Sequence, residues 1–357
     1  MHEGVEKYLS GYKERIDREL SVFLKRAEKE HSLAPFGKTF FNAVAEFTLR
    51  GGKRIRGALV LLGYKGFHGR TESAVLGIAA AIELIHSFLL IHDDIIDRDA
   101  LRRGKPTLHK VFECRFPRQT RFAEEKRHFG VSLAITAGDL VAVLAYESIV
   151  KSGLSLHIKK EVLQETNKLL FSVIQGEAED VVVQYQERAT VAGVQSVYTH
   201  KTALYSFWYP LALGGLIAGA PRSKREALKQ YAMPLGIAFQ IQDDILGVFG
   251  DAEKTGKPAG SDIREGKKTL LVLETLKRGN AQQQKLLLRT LGNERLKPQE
   301  LDAVRDIFRE TGAFAACVKH SQTLVKKAQA ALPKLGLKKS VAAFLFRLAA
   351  YIIEREQ

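Results

Sequence analysis

Apolar residues recur at three- and four-residue steps along almost the whole chain. Val5, Tyr8, Leu9, Tyr12, Ile16, Leu20, Phe23, Leu24 and Ala27 mark an amphipathic opening helix. Pro35 and Gly37 are expected to end it, and Phe40–Leu49 reads as a second helix running up to Gly51-Gly52. Ala58–Tyr64 and Ser73–Asp97 read as buried helices split by a Gly66–Gly69 turn. The second is apolar nearly all round, the pattern of a helix at the centre of a bundle. Further helices are expected over Ser132–Lys151, Lys159–Gln184, Val194–Ala218, Arg225–Phe249, Lys268–Lys277, Asp302–Ala331 and Ser340–Glu354. The charged stretches Arg115–Arg127 and Gly250–Lys267 read as loops. Long alternating strand patterns, fixed-period repeats and linkers are missing. The expectation is one all-α domain over residues 1–357, a bundle of roughly ten to thirteen helices around a central apolar cavity.

Composition narrows the class. The chain has 357 residues, 45% hydrophobic and 27% charged, enough to bury a core without covalent help. Cys114 and Cys317 are its only cysteines, which excludes a disulfide framework or a cysteine-rich zinc site. Met1–Ser10 lacks the apolar core of a signal peptide, and Leu84–Ile91 and Pro210–Ala220 fall short of a membrane span. A soluble protein of the reduced cytoplasm is expected. The net charge of +15 attracts anions, but the basic residues are dispersed and form no nucleic-acid motif. Small phosphorylated substrates fit better than nucleic acid, and peripheral contact with an anionic membrane stays open.

Two acidic clusters then change the picture. Asp93-Asp94-Ile95-Ile96-Asp97 and Asp243-Asp244-Ile245-Leu246-Gly247 lie 150 residues apart, each closing an apolar helical run. On a helix Asp93 and Asp97 are i and i+4 and share a face. Carboxylates about 5–6 Å apart at the edge of a cavity repel by about 3 kcal/mol, a penalty that a cation removes. All-oxygen ligands suit Mg²⁺, which is normally shared between carboxylates and substrate phosphates. The cations complete the pattern. Lys53, Arg54 and Arg56 stand on a turn flanked by Gly51, Gly52 and Gly57; Arg102 and Arg103 follow the first acidic cluster; Lys201, Lys257, Lys267 and Lys268 come later. Arg forks match phosphate oxygens and Lys adds point charge. Together these describe a site for metal-bound diphosphate.

The ordered set Gly-Gly-Lys-x-x-Arg, Asp-Asp-x-x-Asp, Arg-Arg-Gly-x-Pro, Lys-Thr and Phe-Gln-x-x-Asp-Asp resembles the trans-isoprenyl diphosphate synthases, the farnesyl and geranylgeranyl diphosphate synthases among them. The resemblance implies that Asp93, Asp94, Asp97, Asp243 and Asp244 hold about three Mg²⁺ ions on an allylic diphosphate. It implies that Arg102, Lys201 and Lys257 grip that diphosphate directly. Lys53, Arg56, His86 and Arg103 match a pocket for isopentenyl diphosphate, Thr202 and Gln240 stand beside the allylic carbons, and Lys267 joins the substrate-binding set. Asp93, Asp97, Arg102, Lys201, Asp243 and Lys257 would carry catalysis. Arg355 is a candidate to close the second pocket. The implied reaction is ionisation of the allylic diphosphate, attack by isopentenyl diphosphate and loss of a proton, in a homodimer.

The second motif departs from the family at Gly247, where Asp is usual; either Asp251, four residues later, compensates or Asp244 suffices. Asp262 and Glu179-Asp180 read as helix-end or loop hydrogen bonding, His92 as packing, and His109 as structural. Phe88 and Leu89 precede Asp93 by five and four positions and would floor the growing tail. One aromatic there looks like the geranylgeranyl type. A farnesyl or longer product, or a non-catalytic subunit of a heteromeric synthase, is the alternative. The second motif lacks the Asn/Asp, Ser/Thr, Glu pattern of terpene cyclases.

Overall fold

The computed structural model describes residues 2–115, 122–187, 189–250 and 259–354. Helices α1 (His2–Glu30), α2 (Pro35–Leu49), α3 (Ile55–Gly66) and α4 (Ser73–Ile96) come first. A two-residue hairpin follows, β1 (Leu101–Arg102) against β2 (Lys105–Pro106), then α5 (Leu108–Glu113), α6 (Ala123–Lys151), α7 (Leu156–Tyr185) and α8 (Val191–Val197). A π-helical segment, Tyr198–Trp208, runs into α9 (Tyr209–Ile217) and is followed by α10 (Arg222–Ala227) and α11 (Lys229–Phe249). The last part holds α12 (Ser261–Glu265), α13 (Leu270–Arg278), α14 (Ala281–Thr290), α15 (Pro298–Glu310), α16 (Ala313–Ala331) and α17 (Lys339–Ile353).

Helix α4 forms the centre and packs on α3 and α6; α11 packs on α16 and on the π-helical segment. Ile78, Ala79, Ala80, Ala81 and Ile82 of α4 are fully buried in succession, so no face of this helix middle meets water. That is why its sequence lacks a polar stripe. α4 and α6 both have the length and apolar content of a membrane span, yet two thirds of the apolar window of α4 is buried inside the bundle. The all-α expectation holds.

Several boundaries differ from the expectation. Pro35 starts α2 rather than ending α1, since a proline at the first helical position gives up an N–H that would have no partner there. α6 begins at Ala123, so the end of the stretch read as a loop is helical; residues 116–121 lie outside the described set. The expected Asp302–Ala331 helix is two helices, broken where Gly312 takes φ +72°. α14 was not foreseen, although Asn280 and Gln283 form a capping box at its start. Thr190 and Thr269 cap α8 and α13 in the same way, each accepting from a backbone N–H three residues on.

Candidate active site

The ends of α4 and α11 open on one cavity of about 1120 Å³, lined among others by Asp93, Asp243, Asp244, Lys53, Arg56 and His86. The two acidic clusters therefore share a chamber with the basic turn. Leu89, Val173 and Phe239 supply apolar wall.

Three cations from other parts of the chain bind the first acidic cluster, and they are shared with Asp99, Glu177, Asp180 and Glu265. Arg102 donates to Asp94 at 2.6 Å and to Asp93 and Asp99 at 3.2 Å. Burial works against its charge, but Asp94, Asp93 and Asp99 together hold the guanidinium above its usual range. Lys201 donates to Asp180 at 2.6 Å and Asp93 at 3.2 Å, with Glu177 at 2.9 Å. Lys267 donates to Asp97 at 2.7 Å and stands 2.8 Å from Glu265. Burial also pushes the acids up: Asp94 to about 7, and Glu177 to about 8 with Asp93 beside it. One oxygen of Asp94, Oδ2, is buried with no hydrogen-bond partner. Carboxylate oxygens of Asp97, Asp99 and Glu265 come within 4.8 Å of one another, a grouping that includes only one of the expected metal ligands.

The second cluster divides its labour. Asp243 is exposed to the cavity, whereas Asp244 is buried and both of its oxygens are engaged. Tyr198 Oη donates to one and Gln240 Nε2 to the other at 2.8 Å, while Thr202 Oγ1 donates to Gln240 Oε1 at 2.5 Å. Leu270 N donates to Tyr198 Oη at 3.0 Å, tying α13 to the same network.

Across the cavity, Gly51 and Gly52 take φ +99° and +115°, and Arg54 and Arg103 are also left-handed. Gly52 is required by its backbone conformation. Its φ excludes most side chains, and a Cβ there would lie 2.9 Å from the guanidinium carbon of Arg103. Arg56 Nη1 donates to His86 Nε2 at 3.1 Å, which leaves Nδ1 to carry the ring proton toward Tyr205 Oη at 3.0 Å. Burial, then Arg56, Arg103, Arg54 and Arg102, keep the His86 pKa far below its ordinary value. Burial and the neighbouring Arg54 bring Arg103 down to about 10.

The structure thus gathers Lys53, Arg56, His86, Arg102, Arg103, Lys201, Thr202, Gln240 and Lys267 around the cavity. Phe88 is half-buried and packs edge-on against His92 at 5.1 Å; of the two floor candidates, Leu89 is the one in the cavity wall. His92 also approaches Ile135 O, as a packing residue would. Lys257, Asp251 and Arg355 lie outside the described residues. Asp180 and Asp262, read as bland, both line the cavity, and Glu177 was missed. The signal for Glu177 and Asp180 was their spacing from Val173 and Gly176, which puts both acids on the buried face of α7.

Residues 38–308 match the polyprenyl synthetase family. The chain belongs to that family. It is 35% identical to the short chain isoprenyl diphosphate synthase of Methanocaldococcus jannaschii over 87% of this chain and 86% of that one. It is also 35% identical to the geranylgeranyl diphosphate synthase of Saccharolobus solfataricus, over 76% and 77%. A geranylgeranyl pyrophosphate synthase from Corynebacterium glutamicum, solved with isoprenyl diphosphate and magnesium, superposes with a TM-score of 0.91 at 34% identity, covering 98% of this chain and 99% of that one. The polyprenyl synthetase described here is a trans-prenyltransferase that elongates prenyl chains.

Proposed function

We propose that the enzyme joins isopentenyl diphosphate to an allylic diphosphate with Mg²⁺ and releases geranylgeranyl diphosphate. The observation that carries this reading is the meeting of Asp93 and Asp243 in one cavity with the Lys53–Arg56 turn opposite. The residues fit a hard cation. Their donors are all oxygens, Asp243 is open to the cavity, and Asp94 Oδ2 has no hydrogen-bond partner. Asp93, Asp97 and Asp243 would hold the metal, with Asp94 and Asp244 behind them, and about three ions suit a bound diphosphate. Mg²⁺, when bound, supplies positive charge to the departing diphosphate.

The chain's own residues do the rest. Lys201, Lys267 and Arg102 exchange their carboxylate partners for phosphate oxygens, together with Lys257, and so stabilise the leaving group in a site already arranged for it. Lys53, Arg56, His86 and Arg103 bind the diphosphate of isopentenyl diphosphate and aim its double bond at the allylic carbon. The carbon–oxygen bond of the allylic diphosphate breaks, the double bond attacks, and the released diphosphate takes the proton. Thr202 and Gln240 face the allylic carbons, and the apolar wall around Leu89 and Phe239 excludes water. Leu89, with Phe88 beside it in sequence, sets the depth available to the tail.

We assign homodimer contact to α6 and α7, where Ile135, Val143, Val150, Phe171, Ile174 and Val182 are exposed. The cytoplasm is the proposed compartment, and the net +15 charge favours peripheral contact with anionic membrane. Purified enzyme, labelled isopentenyl diphosphate and each allylic primer, with Mg²⁺ or chelator, test the reading. Mg²⁺-dependent geranylgeraniol after dephosphorylation supports it. A different length removes the product assignment, and no product from any primer removes the reaction.

A further inference from the structure

We propose that Tyr351, at the end of α17, is a positioning residue that holds Lys53 ready for isopentenyl diphosphate. The inference rests on the reading of the Lys53–Arg56 turn as that substrate's pocket. Lys53 sits on a non-helical turn and is exposed, and fixing a four-carbon stem in one rotamer costs side-chain entropy. Tyr351 is buried to 5% exposure on the apolar stripe of α17 that packs against α1 and α3. Only its hydroxyl end needs a polar partner, and Lys53 and Glu6 are both in reach. Tyr351 Oη accepts from Lys53 Nζ at 2.7 Å and donates to Glu6 Oε1 at 2.9 Å. Donation to Glu6 fixes the hydroxyl proton away from the ammonium and turns a lone pair toward it. The ammonium also lies 4.8 Å from the centre of the Tyr351 ring.

Glu6, Lys53 and Tyr351 all line the same cavity. A lysine held this way loses less freedom when a phosphate arrives, which strengthens binding without any contact between Tyr351 and the substrate. Both ends of the chain, α1 and α17, thereby take part in one substrate pocket.

Tyr351→Phe isolates the hydroxyl, because the ring and its packing stay. The expected result is a KM for isopentenyl diphosphate raised roughly tenfold, with kcat at saturation, the KM for farnesyl diphosphate and the melting temperature unchanged. Titration calorimetry with isopentenyl diphosphate should show the same loss of affinity without turnover. Equal changes for both substrates, or none for isopentenyl diphosphate, would overturn the proposal and leave Tyr351 as packing. Lys53→Ala separates the two levels: if it spares isopentenyl diphosphate binding, the pocket assignment itself fails; if it weakens binding and Tyr351→Phe does not, only the positioning role fails.

Discussion

The carboxylate of Asp262 fills the space that a side chain at position 247 would need: a Cβ on Gly247 would lie 2.5 Å from the Asp262 carboxyl carbon. The second acidic motif lacks its usual fifth aspartate, and a neighbour from α12 stands there instead. Gly247→Ala should force Asp262 off its rotamer and cost about 0.5–1.5 kcal/mol in thermal unfolding. Added to Asp262→Ala, the same change should cost almost nothing, a non-additivity that a double-mutant cycle reads directly. Additive losses would mean the two positions are independent.

Asp93 accepts from both Lys201 and Arg102. Asp93→Asn together with Asp97→Asn should lower turnover by on the order of 10²–10³ or more, while circular dichroism still reports a folded helical protein. Mg²⁺ should no longer raise the melting temperature in the presence of inorganic pyrophosphate. A wild-type response to Mg²⁺ in the double variant would sink the metal assignment.

Much of this was readable in the chain. Asp93 and Asp97 end an apolar helix at i and i+4, and that local geometry needs no tertiary knowledge. Tyr351 was not readable: it meets Lys53 across 298 residues and belongs to no local motif. Asp262 is similar, because its role depends on the missing Gly247 side chain. The Tyr198–Trp208 segment passed as ordinary helix, since apolar periodicity over so short a run does not separate a π-helix from an α-helix.

Product length provides a graded test. Leu89 lines the cavity, and Phe88, one position earlier on α4, packs against His92. Leu89→Phe should shorten the main product by one isoprene unit, and Phe88→Ala should lengthen it. Chromatography of the dephosphorylated alcohols distinguishes them. An unchanged distribution in both variants would put the floor elsewhere.

Acid should destabilise the fold through His109. The ring is buried, which with Lys110 nearby lowers its pKa from 6.5 to about 4. The unfolded chain therefore binds the proton first, so stability present above pH 6.5 is lost as pH falls toward 4. The loss should be on the order of 2 kcal/mol from this group. His109→Gln keeps a partner for Thr107, whose hydroxyl lies 3.2 Å from the ring nitrogen, and should flatten the decline in melting temperature over that range. An equally steep decline would assign the effect to other groups.

Lys201 and Thr202 project from the π-helical stretch Tyr198–Trp208. Its hydrogen bonds run from i to i+5 rather than i to i+4, so its turns are wider than those of an α-helix. Deleting a single residue would let the stretch relax to ordinary α-helix without breaking it, yet would turn everything on one side by about 100° relative to the other. Lys201 would then leave Asp93 and Asp180. Because Tyr205–Leu216 are buried, the same rotation would also misplace core side chains, so packing and the proposed chemistry would fail together. Its reading frame of residues per turn is as much a part of the site as any carboxylate.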